Sequence, residues 1–387
     1  MRYTILDCYT DEPAGLGVPP YIGTYPRYIY GKLKLQGHDI RYITIDDLRL
    51  YRNYNNLVPE TTTKQKTKID VYNLTINSGN TGAVLADTDV LVVILGVHTP
   101  GKYLSAIPGT LKEIVPLIED LRCEKILTGP AASHHGTQVE GGKLVETQDT
   151  SIFDSVDVDY FELNDFDNIN KVAPAGAEIL RQINDIRVAE IETASGCFRD
   201  KGCSFCVEWT KPQLFRGQKD IHAEIKALSN VGVEHFRIGK QTCFYSYKNG
   251  KPEEIEKLLL PISNLKPKTL HIDNANPARV NEEVTKLIVK YCTAGNVAAF
   301  GAESFDEAVT KKNNLNSPAE TTMRAIRIVN KFGSVRDPNG MHKFLPGLRS
   351  NWRQKQDKWT YSSWIMHNYS KISPTTLRSI WLLTLTS

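Results

Sequence analysis

The chain has 387 residues, 41% hydrophobic and 24% charged, a balance that excludes a disordered, collagen-like or low-complexity polypeptide and suggests two or three domains at roughly 150 residues each. No apolar run reaches the ~18 residues of a membrane-spanning helix, and Met1-Arg2-Tyr3-Thr4 does not open a signal peptide, so the expectation is a cytoplasmic protein without a membrane partner. The net charge of +3 belongs to the last forty residues, where six Lys and Arg face the single acid Asp357, so a nucleic-acid partner is not indicated.

In chain order, short apolar runs alternate with amphipathic stretches. Strands are expected at Tyr3 to Cys8, Ile40 to Ile45, Val90 to Leu95 and Lys125 to Thr128, with helices at Tyr25 to Gln36 and Pro108 to Leu121. This is the pattern of a parallel sheet flanked by helices, a Rossmann-like or flavodoxin-like α/β domain over residues 1–145. From Val145 to Ile169 there is no Lys or Arg while Asp and Glu accumulate, and residues 146–186 read as an acidic, solvated connecting segment.

A second β/α block spans 187–347. Strands are expected at Arg187 to Glu192, His235 to Gly239, Thr269 to Asp273 and Val297 to Gly301; helices are expected at Asp220 to Val231, around Val284 to Tyr291, and at Pro318 to Phe332. Repeats of this period make a barrel or part of one, with working groups at the C-terminal strand ends. After Gly347 the text changes: 348–387 contain no Gly, Ala, Val or Glu and hold four of the five Trp. The expectation is an atypical tail, read as out of frame, and a barrel lacking its fifth and sixth strands.

Of seven cysteines, Cys8, Cys123, Cys243 and Cys292 are scattered, while Cys197, Cys203 and Cys206 form a C-x5-C-x2-C loop straight after a strand. In a chain with no export signal such a cluster favours metal over disulfides. Three thiolates can each ligate one iron of a [4Fe–4S] cube and leave the fourth iron open. Phe205, before the last cysteine, offers an aromatic face to a planar ligand such as adenine. A structural zinc site completed by Cys243 or a His is the alternative. The pair His134-His135 is read as loop surface.

On these residues the chain resembles the radical S-adenosylmethionine (SAM) superfamily, whose usual loop is C-x3-C-x2-C. The longer first spacing is similar to that of archaeal radical SAM proteins with a C-terminal helix-hairpin-helix, a segment not visible here. Phe236-Arg237-Ile238-Gly239-Lys240-Gln241 looks like the strand-2 glycine motif that holds the SAM amino group. Phe300-Gly301-Ala302-Glu303-Ser304-Phe305, with Val309 and Asn313-Asn314, resembles the strand-4 motif of the methylthiotransferase-like branch, where polar groups approach the SAM ribose and methionine.

The resemblance thus implies a metal site of Cys197, Cys203 and Cys206, and SAM contacts from Phe205, Gly239, Gln241, Glu303 and Ser304. It also implies reductive cleavage of SAM to a 5′-deoxyadenosyl radical and an electron donor such as a ferredoxin or flavodoxin. An ordinary strand end is the alternative for Gly239 and Gln241, and a salt-bridged barrel residue for Glu303. Substrate is not legible; methylthiotransferase-like chemistry, or modification of RNA or protein, is what the branch suggests. The first domain resembles cobalamin-binding domains, but Asp7-Cys8-Tyr9-Thr10-Asp11-Glu12-Pro13 lacks their Asp-x-His-x-x-Gly signature, so no cobalamin is expected. The competing class is a non-catalytic protein: a zinc- or cluster-stabilised module, or an inactive truncated radical SAM product.

Overall fold

The structure is a computed structural model that describes residues 1–9, 23–54, 74–96, 109–134, 136–139, 143–147, 150–184, 188–206 and 208–349. Two compact units divide the chain: Met1–Glu190 with Lys219–His235, and Ile191–Gln218 with the described residues from Phe236 onward. No helix among the described residues is long and apolar enough to cross a membrane.

The first unit contains β1 (Arg2–Asp7), α1 (Thr24–Leu35), β2 (Asp39–Thr44), α2 (Ile45–Tyr54), α3 (Thr81–Ala86), β3 (Val90–Ile94), α4 (Leu111–Ile118) and β4 (Glu124–Thr128). After these come α5 (Pro130–His134), the hairpin β5 (Gly136–Val139) and β6 (Lys143–Thr147), β7 (Ser155–Val156), α6 (Phe166–Gly176) and, after an excursion into the second unit, α7 (Gln218–Asn230). Its sheet runs β2-β1-β3-β4-β7, all parallel. β3 is buried along its whole length, as its unbroken Val-Leu-Val-Val-Ile text requires of a strand covered on both faces. Leu6, Ile43, Leu91, Val93, Ile114 and Leu127 make the centre of one core.

The acidic stretch is more than a linker. It supplies β7 and α6, and its carboxylates serve as local acceptors: Asp165 caps α6 through the Asn168 N–H, and Asp154 takes the Lys125 N–H at 2.8 Å. Helix α6 crosses α1 at close range, since a Cβ on Gly31 would lie 2.2 Å from the Val172 carbonyl oxygen. Arg27 of α1 and Glu224 of α7, both fully buried, form an ion pair at 2.8 Å. The side chains of His134 and His135 lie outside the description, as do residues 350–387 with the tail tryptophans.

The second unit takes in the end of β8 (Val188–Glu192), β9 (Ala194–Ser195), β10 (Leu214–Phe215), β11 (His235–Gly239), α8 (Pro252–Asn264), β12 (Thr269–Ile272) and β13 (Asn274–Ala275). Then follow α9 (Glu282–Tyr291), β14 (Asn296–Gly301), α10 (Glu307–Lys312), α11 (Ala319–Gly333) and β15 (Phe344–Arg349). The strand orders β12-β11-β8 and β13-β14-β15, with only Asp273 between β12 and β13, describe a partial barrel. The expected loss of the fifth strand is corrected. β15 pairs in parallel with β14 from Asn296↔Phe344 to Gly301↔Arg349, two residues beyond Gly347. Phe344 is fully buried and the ladder needs only backbone groups, so the change of composition does not interrupt it.

Candidate active site

The cysteine loop is closed at its base before any cysteine is reached. Thr193, just after β8, donates its N–H and Oγ1–H to the Gly239 carbonyl at 3.2 and 3.3 Å. On the returning side the fully buried Arg216 donates its N–H to Thr193 O at 2.9 Å and Nη1 to Glu192 O at 3.0 Å. Tyr247 Oη–H in turn donates to Arg216 O at 2.8 Å. Antiparallel pairing of β9 with β10, Ser195 opposite Leu214 and Ala194 opposite Phe215, brings the two stems together. Gly196 sits at φ +72°, where a Cβ would lie 2.4 Å from Pro212 O, so this tight left-handed entry to the loop demands glycine.

Cys197, Cys203 and Cys206 are half-buried, unlike Cys243 and Cys292, which are buried. Cys206 N–H donates to Cys203 O at 3.1 Å, the Glu208 N–H points to Cys206 Sγ at 3.4 Å, and Arg199 Nη1 lies 3.5 Å from Cys203 Sγ. Burial pushes the Cys203 thiol above its ordinary range, and the Glu303 carboxylate adds to this while Arg199 opposes it. Burial also raises Cys206, against the pull of the Glu208 N–H. The three thiols lie close enough to act on one another's charge. Among the described residues no three His, Cys, Asp or Glu groups converge as on a single ion; a cube does not ask for that, since each thiolate binds a different iron.

The strand ends bring further groups. Gly239 closes β11 against Asp273, where a Cβ would lie 2.4 Å from Asp273 Cβ. Asp273 itself is ion-paired with Arg237. Gln241 is only 8% exposed, and neither Oε1 nor Nε2 has a hydrogen-bond partner, although its main-chain oxygen accepts Asn274 Nδ2 at 3.4 Å. Next to it, Thr242 Oγ1 donates to Gly196 O at 3.1 Å, which ties this strand end to the start of the cysteine loop. Glu303 follows β14, and burial raises its carboxyl above the ordinary range. The Ser304 hydroxyl accepts the Asp306 N–H at 3.2 Å in a local turn. Phe205 is 47% exposed beside Cys206.

Cys243 is a small buried residue whose sulfur takes the Asn276 N–H at 3.2 Å. Asn313 and Asn314, read from sequence as part of a SAM-facing motif, bond to the cysteine loop's backbone and to the Ser204 hydroxyl. Sequence reasoning passed over Arg199 and Arg216. The one available signal for Arg199 was a cation inside a loop spacer two residues longer than usual; Arg216 left none, because Thr193 O and Glu192 O, which it joins, are main-chain carbonyls.

The residues after β1 do not match a histidine-ligated cobalamin. Asp7 accepts the Tyr9 N–H and the Tyr42 hydroxyl at 2.9 and 2.8 Å, Tyr9 Oη donates to Asp46 at 2.7 Å, and no His occurs in the sequence before His38.

No family model matches the chain. Among solved structures it is similar to the radical S-adenosylmethionine methyltransferase TsrM from Kitasatospora setae, seen with tryptophan substrate and a SAM analog. That match has a TM-score of 0.51 and 12% identity over 90% of this chain and 67% of that one. The cobalamin-dependent S-adenosylmethionine radical enzyme OxsB matches with a TM-score of 0.51 and 14% identity over 90% of this chain and 48% of its own. At such identities the likeness is one of fold, and it bears out the resemblance to radical SAM proteins and the α/β reading. In sequence, the chain is 38% identical to an uncharacterized protein of Archaeoglobus fulgidus over 372 residues, 90% of this chain and 64% of the relative. It is 42% identical over 390 residues to the uncharacterized protein MJ0274 of Methanocaldococcus jannaschii, covering 90% of this chain and 67% of that protein. The chain thus spans about two thirds of the length of these relatives. It belongs to the archaeal family of MJ0274, and its fold is that of the radical SAM enzymes.

Proposed function

We propose that the chain is an iron–sulfur enzyme of the radical SAM type, with a [4Fe–4S] cluster on Cys197, Cys203 and Cys206 and SAM at the strand ends beside it. The observation that carries this reading is Gln241: a buried amide with neither polar atom satisfied, one residue from a threonine bonded to the cysteine loop. An orphaned buried amide costs free energy in the ligand-free chain and persists where a ligand completes it. When bound, the cluster supplies the one-electron reduction that cleaves SAM.

The chain's own residues position and shield. The thiols offer three ligands from a loop whose stems are already closed. Gln241 presents an NH2 donor group and a carbonyl acceptor, complementary to the carboxylate and amino groups of the methionine part of SAM. Glu303 adds a carboxyl near Cys203, and the exposed ring of Phe205 offers a stacking face to adenine. Gly239 lets Asp273 pack against the strand end, which keeps bulk out of this corner. Ser304 is left to its local turn. The electron comes from a reduced donor of the ferredoxin or flavodoxin kind, and no step uses cobalamin. The working domain in this reading is the partial barrel of 187–347.

Anaerobic reconstitution tests the proposal. The expected result is about four irons per chain with visible iron–sulfur absorbance, and release of 5′-deoxyadenosine from SAM under reductant. A colourless protein that takes up one zinc and releases no 5′-deoxyadenosine would overturn it.

A further inference from the structure

The spacer Phe198-Arg199-Asp200-Lys201-Gly202 makes the first interval of the cysteine loop two residues longer than in the usual C-x3-C form. In the structure that length is used. Asn314 Nδ2 donates to the Lys201 and Gly202 carbonyls at 2.9 Å each, and Arg199 Nη1 donates to Asn314 O at 2.8 Å. One residue before, Asn313 O accepts the Ser204 N–H at 3.0 Å and its Oδ1 accepts the Ser204 hydroxyl at 2.8 Å. Five hydrogen bonds thus join the loop around Cys203 to the turn that ends α10. Arg199 also places its guanidinium 3.5 Å from Cys203 Sγ.

The turn is built for this. Asn314 stands at φ +52°, a left-handed conformation that asparagine tolerates better than most residues. That conformation turns the chain back so that the Asn314 side chain reaches the loop carbonyls while its own carbonyl faces Arg199. The loop side is equally constrained, because a Cβ on Gly202 would lie 2.3 Å from the Trp209 ring.

We propose that Arg199 and Asn314 are positioning residues: Asn314 clamps the long spacer so that Cys203 is held ready for its metal, and Arg199 sets the redox potential of the metal centre through its contact with the Cys203 sulfur. The clamp stands on the geometry alone, whereas the potential rests on the cluster reading proposed above. A cationic donor at a ligating sulfur stabilises the reduced, more negative centre and raises its potential. The lengthened loop therefore brings its own charge to the site.

The clamp is tested on the full chain, purified without metal, by amide hydrogen exchange. Asn314→Gly keeps the left-handed backbone and removes both side-chain bonds. Exchange at the Ser204 amide is expected to rise about tenfold or more, while amides of β14 such as Ala298 keep wild-type protection and report an intact fold. Unchanged Ser204 exchange would overturn the clamp. The second arm measures the midpoint potential of the reconstituted protein. Arg199→Gln is expected to move it to more negative values, with Arg199→Lys between Gln and wild type, and equal potentials in all three would overturn the role given to Arg199. If the wild-type chain takes up no iron while Asn314→Gly still loosens Ser204, the cluster reading and the potential fail together and the clamp stands.

Discussion

Replacing Gln241 by Met should make the ligand-free protein more stable and its SAM binding weaker, a pair of opposite changes that few other readings of the residue produce. The side chain is 8% exposed and both amide atoms lack partners. Each unsatisfied buried polar group costs ~1–3 kcal/mol, and methionine fills a similar volume without either. With one amide contributing both atoms, a net gain of about 2 kcal/mol is reasonable, which raises the melting temperature by ~4–8 °C for a cooperative unit of this size. The same substitution removes a donor and an acceptor for the charged end of SAM. Hydrogen bonds to charged groups are worth ~1.5–3 kcal/mol, so affinity should fall ~10- to 100-fold. Thermal melts of the ligand-free chain and anaerobic calorimetric titration with SAM read the two halves separately. A variant that melts lower than wild type, or that binds SAM with unchanged affinity, would refute the reasoning.

Replacing Cys197, Cys203 or Cys206 with Ala should each abolish iron uptake on reconstitution, whereas Cys243→Ala, in a buried core position, should leave iron content intact; iron that survives the triple replacement would sink the assignment. Glu224→Gln strips the carboxylate charge from a fully buried ion pair with Arg27, with an expected loss of ~3–5 kcal/mol by chemical denaturation. Recovery is expected when Arg27→Met is combined with Glu224→Met, and a single variant within about 1 kcal/mol of wild type would contradict the burial. Asp47, whose carboxylate takes the N–H groups of Thr44 and Thr75 at 2.8 and 3.0 Å, is pushed up by burial from 3.8 to about 6. A carboxyl raised on folding contributes stability below its unfolded value and loses it as pH rises through the folded one. The wild-type advantage over Asp47→Asn should therefore shrink by about 2 kcal/mol between pH 4 and 7, and a growing advantage would show the shift to have the other sign.

Periodicity alone determined most of the scaffold of this protein. β3 is legible because a strand buried on both faces has to be apolar throughout, and α9 because Val284 and Ile288 must share a face. The gathering of three cysteines in one loop was equally legible, since residues of one loop are close in sequence as well as in space. What depends on distant partners was not. The acidic segment hides α6, whose identity as a packed helix rests on its close crossing with α1, where Gly31 meets the Val172 carbonyl and Gly176 the Arg27 carbonyl. β15 was discounted because composition changes at its end, yet a strand at a sheet edge is held by its neighbour's backbone, which composition does not report. The same applies at the site. That the Gln241 amide is buried without partners, that Asn314 serves the cysteine loop, and that Arg199 reaches a sulfur four residues on are facts about how loops and turns fold in space, and one-dimensional spacing holds no record of them.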